Sequence, residues 1–196
     1  LRCYRDDGPI RALLEKAQAL VLRAIREIGA VVKDCTFRLW GPEYAGAPLM
    51  NPHVYFKRYV VEQDKEATAG IQATGNLSII HCHGKLRDLL EMIGEIGADA
   101  LEPIETLPLP TADVTLAEVK RRLGGRMCLM GGVQARTLEA GTPSDVRREV
   151  ACAIEEAAEG GGLVILPTAA PFKVPLDARS LENARAMYLA AHELGH

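Results

Sequence analysis

Short runs of apolar residues alternate along the chain with longer stretches in which apolar positions recur every three or four residues. Ile10, Leu13, Leu14, Ala17, Val21, Ala24, Ile25 and Ile28 form one such stripe, which predicts a helix from Gly8 that Gly29 ends. Ala30 to Leu39 reads as a first strand, through Val31, Val32, Phe37 and Leu39, leading into Trp40-Gly41-Pro42-Glu43-Tyr44. Asn51-Pro52 supplies a cap and then proline at the first helical position. It predicts a helix to about Ala73 that buries Phe56, Tyr59, Val60, Ala67 and Ile71. Leu77-Ser78-Ile79-Ile80 is a second strand, and Leu86, Leu89, Leu90 and Ile93 then share one helical face that Gly97 closes. Asp99-Ala100-Leu101 is a short third strand running into Glu102-Pro103, followed by a loop from Ile104 to Val114. Thr115 with Glu118 makes a capping box for a short helix to Leu123, and Met127 to Met130 is a fourth strand closed by Gly131-Gly132. Thr142-Pro143-Ser144-Asp145 caps a helix that buries Val146, Val150 and Ile154. Leu163 to Leu166 is a fifth strand, then comes the loop Pro167 to Asp177, and a last helix starts near Ser180.

Strands that alternate with helices in this way predict α/β architecture, with parallel pairing and right-handed crossovers. A (β/α)8 TIM-type barrel needs eight such units and about 250 residues, so this pattern fills only part of one. An open doubly wound sheet would be complete at this length. The 196 residues suit one domain, 1–196, with no internal repeat or linker. Lys plus Arg number 23 against 26 for Asp plus Glu, a net charge of -3, so no basic footprint for nucleic acid is present. No apolar run approaches the roughly 20 residues that span a bilayer, and no charged-then-apolar leader opens the chain. A soluble, cytoplasmic protein is expected. The five cysteines, Cys3, Cys35, Cys82, Cys128 and Cys152, are odd in number and scattered through apolar patterns, which favours reduced, buried thiols over disulfides. The first residue is Leu1 rather than Met, which suits a processed chain or one part of a longer protein.

The chemistry-bearing residues gather at strand ends. His81-Cys82-His83-Gly84 closes the second strand, and because side chains alternate, His81 and His83 point one way and Cys82 the other. Carboxyl ends of parallel strands are where ligands sit. Glu102 ends the next strand and would join the same rim. Two imidazoles and a carboxylate can form a facial metal set, or the histidines can touch substrate and exchange protons. Both readings stand at this point. Trp40, Glu43 and Tyr44 could line the same mouth, and the bare backbone at Gly131-Gly132 could approach an anionic ligand group. Gly160-Gly161-Gly162 precedes a strand and reads as a helix end. His192-Glu193-Leu194-Gly195-His196 fits the H-E-x-x-H pattern of zinc metalloproteases, but His196 ends the sequence with no downstream third ligand.

The run His81-Cys82-His83-Gly84 resembles the uroporphyrinogen decarboxylase superfamily, and three further segments carry the same resemblance. These are Glu95-Ile96-Gly97-Ala98-Asp99-Ala100-Leu101-Glu102, Ala117 to Arg126, and Leu129-Met130-Gly131-Gly132-Val133. The superfamily includes the zinc-dependent methyltransferases that pass methyl groups between corrinoid proteins and coenzyme M. Over about Phe37 to Leu194 the resemblance implies the C-terminal part of a (β/α)8 barrel. It implies a lyase of porphyrin biosynthesis, decarboxylating a tetrapyrrole-like or small anionic substrate, or alternatively a metal-dependent methyltransferase. The strand-end reading takes His81, His83 and Glu102 as the catalytic set, with Trp40, Tyr44, Gly131, Gln134 and Thr168 toward substrate, and the same His81, His83 and Glu102 as the ligands where zinc is bound. The methyltransferases carry His-x-Cys-Gly at this strand end and a second Cys after the last strand. Here His83 takes the place of that first Cys, Leu166-Pro167-Thr168-Ala169-Ala170 holds no Cys, and Thr168 or a neighbour replaces the decarboxylases' His. A further alternative is an incomplete barrel acting as a binding or assembly module, as a homodimer or paired with a second chain that completes it.

Overall fold

The computed structural model describes residues 6–40, 44–171 and 173–195. Helix α1 (Gly8–Val31) precedes strand β1 (Thr36–Trp40), and a π-helical segment (Pro52–Val61) continues into α2 (Glu62–Ala73). There follow β2 (Leu77–His81), α3 (Leu90–Ile96), β3 (Ala100–Ile104), α4 (Leu116–Leu123) and β4 (Cys128–Val133). The chain ends with α5 (Ala135–Ala140), α6 (Pro143–Ala157), β5 (Leu163–Pro167) and α7 (Ala178–Leu194). The five strands form one sheet in the order β1-β2-β3-β4-β5, every neighbouring pair parallel. The sheet is open, with β1 and β5 at its edges, as part of a (β/α)8-type barrel would be.

Local signals in the sequence account for most boundaries. Asn51 accepts a hydrogen bond from Val54 N, Thr115 from Glu118 N, and Thr142 and Asp145 close a reciprocal capping box. Gly97 ends α3 at φ 78°, the left-handed conformation glycine tolerates. Several boundaries differ from expectation, among them the start of α3 at Leu90, which leaves Leu86 and Leu89 in the turn before the helix. Gly29 does not end α1: it is buried where a Cβ would lie 2.5 Å from Thr74, so the glycine permits close packing against the end of α2. The helix therefore runs on to Val31, and β1 begins only at Thr36 rather than at Ala30. Gly131 and Gly132 lie inside β4 instead of after it.

The helices cover one face of the sheet. Ile80, Leu101 and Leu129 point into that side and are fully buried against Leu90, Ile93, Val119 and Leu123. Leu86, Leu89, Leu90 and Ile93, the face read from the sequence, are all fully buried. On the opposite face, inward in a barrel, Leu77 is 54% exposed and Val164 40%. No helix among the described residues is long and apolar enough to cross a membrane. Cys35, Cys82, Cys128 and Cys152 are free thiols, but Cys35 and Cys152 are exposed rather than buried. Cys3, Glu43 and His196 lie outside the described residues.

Candidate active site at the strand ends

Strand register sets out the site before any side chain is considered. Trp40 pairs with His81 across β1 and β2, and His81 with Glu102 across β2 and β3, so the three occupy one row at the same end of the sheet. Neighbouring residues in register bring their side chains within about 5 Å. The Trp40 and His81 ring centroids are 4.7 Å apart, and His81 Nδ1 lies 3.2 Å from Glu102 Oε1. Arg38, two residues before Trp40 and so on the same face, donates from Nε to the same Glu102 oxygen and rests 4.8 Å above the Trp40 ring.

A second row sits beyond the first. His83 Nδ1 lies 2.8 Å from Glu105 Oε1, and Thr111 Oγ1 donates to Glu105 Oε2 at 2.6 Å. Tyr44 stacks on His83 at 5.6 Å, and the two imidazoles meet edge to face at 4.8 Å. The Tyr44 ring can lie there because position 84 has no side chain: a Cβ on Gly84 would come within 2.8 Å of the Tyr44 ring.

Glu105 escaped the sequence reading for a geometric reason. Along a regular strand, Glu102 and Glu105 would face opposite sides. Between Leu101 and Ile104, however, the β3–β4 register shifts: three steps on β3 match two on β4, Leu129 to Gly131. The extra residue falls where Pro103 has no N–H to give the ladder. Ile104 turns into the core, fully buried, and Glu105 comes round to the histidines. Arg38 was legible, because it shares the period-two face of Trp40.

The site is electrostatically coupled. Burial pushes the Glu102 carboxyl up, but hydrogen bonds from Arg38 and His81 outweigh it and leave the group below its ordinary value. Glu105 is likewise buried, and likewise held down by His83 and Thr111.

Each imidazole thus has its own carboxylate, and this bears on the expected metal set. Among the described residues no three His, Cys, Asp or Glu side chains are grouped to hold a metal ion. Cys82 is fully buried in the core on the helix side, so its thiol does not join the rim. Among the described residues, His81, His83 and Glu102 are therefore not grouped as a three-ligand zinc set.

Of the remaining candidates, Gln134 and Thr168 come together just beyond the ends of β4 and β5. Thr168 Oγ1 donates to Gln134 Oε1 at 3.2 Å and accepts from Ala135 N at 3.1 Å, while Gln134 Nε2 donates to Thr106 Oγ1. Gly131 is a close-packed position: a Cβ there would lie 2.7 Å from Ile104 N and O on the neighbouring strand. His192 and Glu193 are exposed at the last turn of the outer helix α7, where Glu193 pairs with Arg147 at 2.6 Å. They are not part of the rim.

The uroporphyrinogen decarboxylase (URO-D) family model matches residues 14–194. No curated protein matches the chain. Among solved structures, a methyltransferase from Methanosarcina mazei is similar over 92% of this chain and 48% of its own, at 18% identity and a TM-score of 0.70. The chain therefore spans about half the length of that methyltransferase. D-psicose 3-epimerase from Clostridium cellulolyticum H10, solved with D-tagatose, is similar over 97% of this chain and 73% of its own, at 13% identity and a TM-score of 0.56. At these identities the likeness is one of fold.

Proposed function

Because the chain belongs to the uroporphyrinogen decarboxylase family, we propose that its strand-end rim moves protons in a decarboxylation. The substrate would be a small or tetrapyrrole-like anion, held in the barrel that this sheet forms part of. The observation that carries the reading is the pairing of His81 with Glu102 and His83 with Glu105, which leaves each imidazole oriented by its own carboxylate. An imidazole held at Nδ1 by a carboxylate presents Nε2 for proton exchange, and the carboxylate stabilises the imidazolium that forms. In the reaction the bond between a carbon and its carboxylate breaks, carbon dioxide leaves, and the electron pair stays on the carbon. An imidazolium then delivers the proton that this carbon takes up. Arg38, half exposed beside Trp40, supplies positive charge near the anionic substrate.

The test is carbon dioxide release from uroporphyrinogen and from small carboxylates by the closed barrel, this chain together with the units that complete its sheet. His83→Gln and Glu105→Gln are each expected to lower the rate by about a hundredfold, the usual range for a general acid. Methyl transfer to a thiol that tracks bound zinc, with no carbon dioxide released, would establish the methyltransferase reading instead.

A further inference from the structure

Beside the rim, the loop after β3 and helices α5 and α6 enclose a cleft of about 540 Å³, a size typical of small-molecule sites. It shares no lining residue with the two His–Glu pairs. Leu107, Leu109, Leu116 and Ala153 give it an apolar wall. Gly132 also lines it; a Cβ at that position would lie 2.7 Å from Ala153.

The charges around the cleft are matched with one exception. Arg148 is paired with Asp145 at 2.6 Å. Glu149 accepts from Gln134 N at 2.8 Å and from Thr137 Oγ1 at 2.6 Å. Glu156 accepts from Ala117 N at 3.0 Å and from the Cys152 thiol at 3.5 Å. Arg136 makes no hydrogen bond or ion pair among the described residues. It also lines an adjoining hollow of about 280 Å³ together with Arg148. An unmatched guanidinium next to an apolar wall is a recognition element for a molecule with a charged head and a greasy body. Its planar set of N–H donors fits two oxygens of a carboxylate or phosphate, and the body would release water from the leucines.

We propose that this cleft is a second binding site, separate from the catalytic rim, for a small amphipathic anion with one carboxylate or phosphate group on an apolar body. Octanoate and phenyl phosphate are suitable probes, with 1-octanol as the uncharged control. Cys152 lines the cleft and is exposed, whereas Cys35 is exposed elsewhere, so alkylation of the two by iodoacetamide, followed by peptide mass spectrometry, reports occupancy against an internal reference. Burial and Glu156 hold the Cys152 thiol above its ordinary value, so the labelling is run at alkaline pH. One or both anions should slow Cys152 alkylation saturably and leave Cys35 unchanged, with octanol far less effective; whichever anion protects identifies the head group. Arg136→Gln, which removes no partner within the fold, should weaken protection about fivefold, while Arg23→Gln on α1 should leave it unchanged. Protection should also fade as salt is raised. No protection by either anion, equal protection by octanol, or an equal loss in Arg136→Gln and Arg23→Gln would overturn the proposal.

Discussion

Glu102 and Glu105 owe their ionised state to named partners, and this fixes how the molecule responds to acid. Both carboxyls lie below their ordinary 4.5 in the folded chain. An acid whose folded value is depressed contributes stability that is complete above the unfolded value and is lost as pH falls through the folded one. The urea midpoint is therefore expected to drop on acidification below about pH 4.5, and Glu105→Gln should flatten that drop. Asp64 behaves in the opposite sense. Its Oδ2 is buried without a hydrogen-bond partner, and burial raises its carboxyl from 3.8 to about 6. A raised acid costs stability as pH climbs from about 4 through 6, by roughly 3 kcal/mol once fully ionised. Asp64→Asn should thus stabilise the protein at neutral pH, with the gain gone below about pH 4; urea unfolding at both values checks it.

At the level of the element, the glycines explain where periodicity succeeded and where it failed. Caps and buried spacings were legible because each depends on residues within a few positions: Thr115 with Glu118, Thr142 with Asp145, and the buried set Leu86, Leu89, Leu90 and Ile93, although only its last two members lie in α3. Glycine was misleading wherever its role was to admit a neighbour from far along the chain. Gly29 makes room for Thr74, and Gly131 for the backbone of Ile104, so neither ends its element. The short helix α5 has no clear amphipathic signal in six residues. Gly131→Ala tests the packing role directly. A Cβ against strand backbone at 2.7 Å should destabilise the fold by about 1–3 kcal/mol, read as a lower urea midpoint. The Cys152 protection assay should be little changed wherever the variant stays folded.

For the molecule as a whole, the exposed sheet face and the two edge strands, β1 and β5, which pair on one side only among the described residues, are the dominant facts. A closed barrel has eight strands and this sheet has five, while α1 leaves Leu13, Leu20, Ile28 and Val31 in solvent. Unpaired strand edges and large apolar patches promote association. The chain on its own is expected to run above its 21.2 kDa in light scattering, increasingly so with concentration, and a stable monomer would show that these surfaces need no cover. The alternation of strand and helix made this open barrel readable from the sequence. The convergence of Glu105 on His83 was not readable, because it depends on the shifted register between β3 and β4. That shift makes one extra residue decide where a charge goes. Straighten the strand at unchanged length, and Ile104 would face the imidazoles while Glu105 turned toward grease, leaving His83 without its counter-ion. Delete Pro103 instead, and regular alternation would set Glu102 and Glu105 two positions apart on one side, so both carboxylates would keep their aim at the histidines.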